Sequence, residues 1–206
     1  LQLLEDLNID SCYLLGHSMG GKVAMELALT VPAKVERLLV VDIAPVSYTT
    51  QSEGHMQVIA GMKALDLDGL DSRASAEAFL RHYIHDEPTR KFVLTNLISN
   101  PEGSYCWRLN LSAIERYYDA LRDMPDHVSV FQKPTLFVKG AESAYILSKH
   151  REQTLAYFPQ SDVKIIMGAG HWLHADKPQI FQKIAMDFLT SKECVGRSSL
   201  AEEKMR

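Results

Sequence analysis

The sequence predicts an α/β fold: a mostly parallel sheet flanked by helices and interrupted by a helical insertion. Short apolar runs bounded by turn residues alternate with segments of helical periodicity, the rhythm of a parallel sheet covered on both faces. A glycine-flanked serine stands where one such run passes into the next helix. Between 48 and 130 the rhythm gives way to helical stretches, and at Pro134 it resumes.

Residues 1–9 (LQLLEDLNI) read as the end of an amphipathic helix, and Cys12 to Gly16 as a buried strand too short and apolar for a helix. Val23, Ala24, Leu27, Ala28 and Val31 recur at helical spacing until Pro32 stops them. Leu38 to Val41 is a second buried strand, ending at Asp42. In the insertion, Phe79, Leu80 and Tyr83 mark one helical face; Phe92, Val93, Leu97 and Ile98 mark another; Leu111, Ile114, Tyr118 and Leu121 mark a third. Tyr105 to Leu109 alternates and reads as extended. Thr135 to Val138 is a strand ended by Gly140, a helix covers roughly 146–157, and Val163 to Met167 is the last strand. Asp176 is expected to cap a final helix with Pro178 in its first turn. The expected organisation is therefore a core of 1–47 and 131–190, a helical cap at 48–130 and a polar tail at 191–206. The cap is expected above the carboxyl ends of the strands, where ligands bind in open α/β sheets.

Composition narrows the function. The 206 residues are 46% hydrophobic and 23% charged, an ordinary globular balance. A net charge of -4 offers no basic footprint for nucleic acid. No apolar run approaches the roughly 20 residues of a membrane-spanning helix. Three scattered cysteines, Cys12, Cys106 and Cys194, suit a reducing, intracellular compartment better than a disulfide framework. Neither CxxC nor HExxH spacing is present, so no metal site is expected.

Gly16-His17-Ser18-Met19-Gly20 fits G-x-S-x-G between strand and helix, the context of a nucleophile elbow. A tight, strained turn lifts the serine Oγ clear of the sheet, and the flanking glycines are expected to relieve collisions across it. The turn also sets a helix N-terminus under the reacting carbonyl, with the backbone N–H of Met19 as an oxyanion donor. A serine hydroxyl needs a base to take its proton. Among eight histidines, His171 follows the last strand in a loop of small residues, Gly168-Ala169-Gly170. His174 is its rival, and His17 reads as pocket wall. The orienting acid has two candidates. Glu142 lies after the Thr135 strand, but Ser143 holds the position where an aspartate is usual. Asp42, at the end of the preceding strand, is well placed to accept from a histidine Nδ1–H.

The segments GHSMGGKVAM, VDIAPV and GAGHWLHADKPQ, with WRLNL in the insertion, resemble the branch of the α/β-hydrolase superfamily that holds α/β-hydrolase domain-containing protein eleven and the bacterial YbfF-type esterases. The resemblance covers residues 1–190. It implies hydrolysis of acyl carboxylic esters or thioesters under a helical cap; the serine mechanism needs no cofactor, and the thiol usage suits bacterial cytoplasm or mitochondrial matrix alike. In some bacterial relatives the aspartate of the VDIAP-like segment is the orienting acid, which supports Asp42. Another acid proposed for the family falls here on Ser112, which cannot serve. The resemblance also implies further strands and a His-Gly oxyanion loop ahead of the nucleophile strand, which the chain as given is expected to lack. His17, Trp107, Tyr145 and Trp172 are the expected pocket residues, and the aromatic Tyr83, Phe92, Tyr117 and Tyr118 suggest an apolar acyl site or plain packing. A second reading is a hydrolase-fold protein that binds and shields another protein.

Overall fold

The computed structural model describes residues 1–48, 52–101, 103–123 and 129–191. The expected polar tail beyond 191, Cys194 included, lies outside the described residues. The chain forms two compact units, Leu1–Val46 with Met124–Arg206, and Ser47–Asp123. The sequence reading places the breaks after 47 and 130.

The first unit is built on helix α1 (Gln2–Asp6), strand β1 (Cys12–His17), helix α2 (Met19–Thr30) and strand β2 (Val35–Val41). Helix α3 (Ser52–Ala64), α4 (Arg73–Leu80), α5 (Glu87–Leu94), strands β3 (Leu97–Ser99) and β4 (Tyr105–Trp107), and helices α6 (Leu111–Arg116) and α7 (Tyr118–Arg122) make the second unit. The first unit then resumes with β5 (Thr135–Gly140), α8 (Arg151–Tyr157), β6 (Ser161–Ile166), α9 (Leu173–Asp176) and α10 (Pro178–Thr190).

The four strands of the first unit form one parallel sheet in the order β1-β2-β5-β6. Side chains alternate between its faces. One face of β2 and β5 offers Leu39, Val41, Leu136 and Val138, and Ala185 and Phe188 of α10 bury against them. On the other face Phe137 meets Phe158, and α2 lies close enough that Gly21 abuts Val40. The central strands are accordingly near-continuous apolar runs, as the sequence reading expects of a doubly covered parallel sheet. The edge strands are different. Among the described residues β1 pairs only with β2, and Tyr13 (56%) and Leu15 (43%) remain exposed. On β6, Val163 and Ile165 are also exposed. Helix α1 buries no residue at all.

Two expectations change in the first unit. Asp176 caps nothing: it ends the short α9, Lys177 stands at the N-cap of α10, and the Asp176 carboxylate accepts instead from the Gly170 N–H at 2.9 Å. The 146–157 helix opens as a 3-10 turn, Ser148–His150, before α8.

In the second unit Leu97 and Ile98 are not helical. Helix α5 stops at Leu94, and Leu97–Ser99 pairs antiparallel with Tyr105–Trp107. Asn100 makes the turn: its Oδ1 accepts from the Ser104 N–H at 2.9 Å, and Gly103 adopts φ 88°. The third expected face is broken at Tyr117 into α6 and α7, and Tyr83 lies past the end of α4. A core of Met62, Leu65, Ala76, Leu80, Val93, Leu97 and Leu111 holds this unit together.

Candidate active site

Ser18 follows β1 and caps α2 with φ 53° and ψ -121°. This is backbone that an L-residue adopts only under constraint. Two features impose it. The Ser18 N–H donates to the Val41 carbonyl at 2.9 Å. A Cβ at Gly16 would meet the Gly20 carbonyl oxygen at 2.2 Å, so strand and helix approach as closely as they do only with glycine at 16. The expectation for Gly20 is corrected: a Cβ there meets nothing within 4 Å. Gly21 is the crowded neighbour, its Cβ position lying 2.5 Å from Ile43 Cγ2. Met19, the first residue of α2, presents the first amide of the helix, one of the N–H groups that no turn of the helix itself satisfies.

His171 reaches Ser18 from the far end of the sheet. Its loop departs from β6 through Gly168 at φ 64° and crosses the end of β5, where a Cβ at Gly140 would strike the Gly170 oxygen at 2.1 Å. The loop is tied by the Glu142 N–H to the Ala169 carbonyl (3.0 Å) and by the Gly170 N–H to Asp176 (2.9 Å). His171 Nε2 then lies 3.0 Å from Ser18 Oγ, and Nδ1 2.8 Å from Asp42 Oδ2. His171 is 21% exposed, whereas Asp42 is fully buried. Asp42 occupies the left-handed region at φ 51°, which aspartate tolerates better than most residues. Its Oδ1 accepts from the Gly140 N–H at 3.2 Å and its Oδ2 from the Ser143 hydroxyl. A buried carboxylate with three donors is a satisfied one.

Glu142 is exposed and its link to the loop is made by backbone alone. Ser143, noted in the sequence only for displacing an aspartate, turns out to hold the aspartate that comes from the neighbouring strand. No pattern in the sequence announces that bond, because it depends on β2 and β5 being neighbours.

Around His171 the structure brings together three of the four expected pocket residues. Tyr145 stacks on its ring at 4.2 Å between centroids, and Trp172 lies edge-on at 5.8 Å. His17 is 4.7 Å away, and its Nε2 lies 2.9 Å from the His171 carbonyl oxygen. Desolvation by burial lowers the His17 pKa from 6.5 to about 4, so the ring is neutral near pH 7. His174 sits on α9 with its ring against His17 at 4.6 Å. Trp107 belongs to the second unit, where its indole N–H donates to the Met62 carbonyl at 2.8 Å and its ring packs on that unit's core. Among the described residues no group of three His, Cys, Asp or Glu could hold a metal ion, and no helix is long and apolar enough to cross a membrane.

A parallel sheet with a strained serine at one strand end, and a histidine between that serine and a buried aspartate, defines a hydrolase-type α/β protein. The alpha/beta hydrolase family model matches residues 1–182, and the chain belongs to that family. It is 41% identical over 191 residues to the sn-1-specific diacylglycerol lipase ABHD11 of Danio rerio, a match that covers 91% of this chain and 60% of the relative. Esterase YbfF of Escherichia coli (strain K12) is 31% identical over 175 residues, covering 85% and 66%. Among solved structures, one described as a marine microorganism esterase superposes with a TM-score of 0.87 at 34% identity, covering 91% of this chain and 74% of that one. The branch that the sequence motifs resemble is thus borne out. The chain spans about 60% of the length of the diacylglycerol lipase relatives.

Proposed function

We propose that the protein is a serine hydrolase that cleaves acyl carboxylic esters or thioesters through an acyl-serine intermediate. The single observation that carries this is the unbroken relay from Ser18 Oγ to His171 Nε2 and from His171 Nδ1 to Asp42. The names of the relatives, a diacylglycerol lipase and esterases, support the acyl-ester class.

Each step uses a group already in place. Ser18 Oγ attacks the carbonyl carbon as its proton passes to His171 Nε2. Asp42 accepts from Nδ1–H, which fixes the tautomer and offsets the imidazolium charge. The oxyanion is received by the Met19 N–H at the positive end of α2. His171 then returns its proton to the leaving alcohol or thiol. The deacylation half repeats the sequence with water as nucleophile and releases the acid.

The test is trapping with a serine-directed fluorophosphonate. Ser18 should label, and Ser18→Ala should abolish both labelling and hydrolysis, a loss on the order of 10⁴ or more in rate. Ester turnover by Ser18→Ala within about tenfold of wild type would remove Ser18 from the mechanism. A folded wild type that neither labels nor hydrolyses would favour the shielding-partner reading.

A further inference from the structure

We infer that His17 is a positioning residue for the base: its Nε2–H donates to the main-chain carbonyl of His171 and so fixes the distance between that base and the nucleophile beside His17. The inference rests on Ser18 and His171 being nucleophile and base, as proposed above.

The geometry gives the bond a direction. A carbonyl oxygen can only accept, so the nitrogen 2.9 Å from it must carry the proton. His17 is therefore the Nε2–H tautomer, and its Nδ1 is bare. The other ties on the His171 loop come from Glu142 after β5, from Asp176 on α9 and from Asp42 after β2. The tie from His17 comes from β1, the strand that delivers Ser18. Loop and elbow are thereby joined twice within adjacent residues, once through the Ser18 hydroxyl and once through the His17 ring. Without the second tie, the reacting distance would rest on the Asp42 bond to the His171 ring and on the Ser18 hydrogen bond, the latter of which breaks during every turnover. Small errors in such a distance are expensive in rate.

The setting also keeps the ring uncharged. His17 is wedged among the rings of His171, Trp172 and His174 at 4.7, 5.5 and 4.6 Å. Of the groups acting on its charge, His171 and His174 oppose a proton, Asp42 and the His171 carbonyl favour one, and burial is the largest influence. A charged His17 would repel the imidazolium that His171 becomes in each proton transfer. A neutral donor in that place orients the base without opposing its charge.

The consequence for stability has a definite sign. The folded pKa is about 4 and the ordinary value 6.5. Between those values the unfolded chain binds a proton that the folded chain refuses, so the stability contribution is whole above about pH 6.5 and is lost as pH falls toward 4.

Two substitutions separate the hydrogen bond from the packing. Phe at 17 keeps a flat ring but no donor; Gln keeps a donor that can reach the carbonyl and does not titrate. In the whole protein, kcat of His17→Phe for a p-nitrophenyl acyl ester should fall about tenfold to a hundredfold, with KM within about twofold. His17→Gln should recover most of that loss. Both variants should lose less stability than wild type between pH 7 and pH 4. A kcat for His17→Phe within about twofold of wild type, or equal impairment of the two variants, overturns the inference. Should His17→Phe not fold, ring ¹⁵N NMR of the wild type decides: an Nδ1–H tautomer at His17 overturns it and an Nε2–H tautomer supports it. Activity surviving Ser18→Ala would instead strike at the proposed function itself, whereas an inactive Ser18→Ala beside a fully active His17→Phe strikes at this inference alone.

Discussion

Asp42 accepts from three donors while fully buried, and substitutions at Asp42, at Ser143 and at the rival acid Glu142 test its role. Asparagine tolerates the same left-handed backbone, so Asp42→Asn should fold; its amide would turn His171 to the wrong tautomer, at a loss of roughly 10⁴ in kcat. Ser143→Ala removes one hydrogen bond to a charged group and should cost about tenfold. Glu142→Gln should stay within about twofold of wild type, because its side chain takes no part. Steady-state kinetics on one acyl ester orders the three. A crippled Glu142→Gln beside a mild Asp42→Asn would place the acid on the wrong strand. Ser18 and His171 were legible as candidates in the elbow motif and in the small-residue loop after the last strand, whereas chain order left Asp42 and Glu142 both open and the family resemblance favoured Asp42. The supporting roles of Ser143 and His17 were not, because each donates to a group 101 and 154 residues distant that only the sheet order brings near.

At the scale of elements, the elbow distinguishes two adjacent glycines that a motif treats unequally. Gly20 belongs to G-x-S-x-G yet has open space at its Cβ position; Gly21, outside the motif, faces the stiff branched side chains of Ile43 and Val40 at 2.5 and 3.1 Å. Gly21→Ala should therefore destabilise by about 1–3 kcal/mol through overpacking. Gly20→Ala should be neutral or stabilising by up to about 1 kcal/mol, since alanine is the better helix former. Urea unfolding of both variants checks this, and the opposite order would refute the elbow packing described above. Periodicity identified the four sheet strands because apolar runs of this length between turn residues leave few alternatives. It failed at Leu97 and Ile98, where apolar spacing continues past Leu94 but Asn100 and Gly103 turn the chain into a hairpin. The helix extension and the hairpin bury Leu97 equally well in principle, so spacing alone could not choose.

For the molecule as a whole, the distances along the chain within the relay have a kinetic meaning. Ser18 and His171 are separated by 153 residues and Asp42 and His171 by 129, while β1 and β2 are consecutive strands of the sheet. Closing long loops costs entropy before the contacts reward it, and non-local parallel pairing is slow. Helices α2 and α10 can form from local sequence, but the relay exists only once β5 and β6 have docked in order. During refolding from urea, helical circular dichroism should therefore return before fluorophosphonate reactivity at Ser18. Simultaneous recovery of the two signals would mean that the sheet assembles with its helices. On this account, the appearance of a reactive serine serves as a clock for the last stage of folding, reporting the moment when the two ends of the relay's longest loop have met.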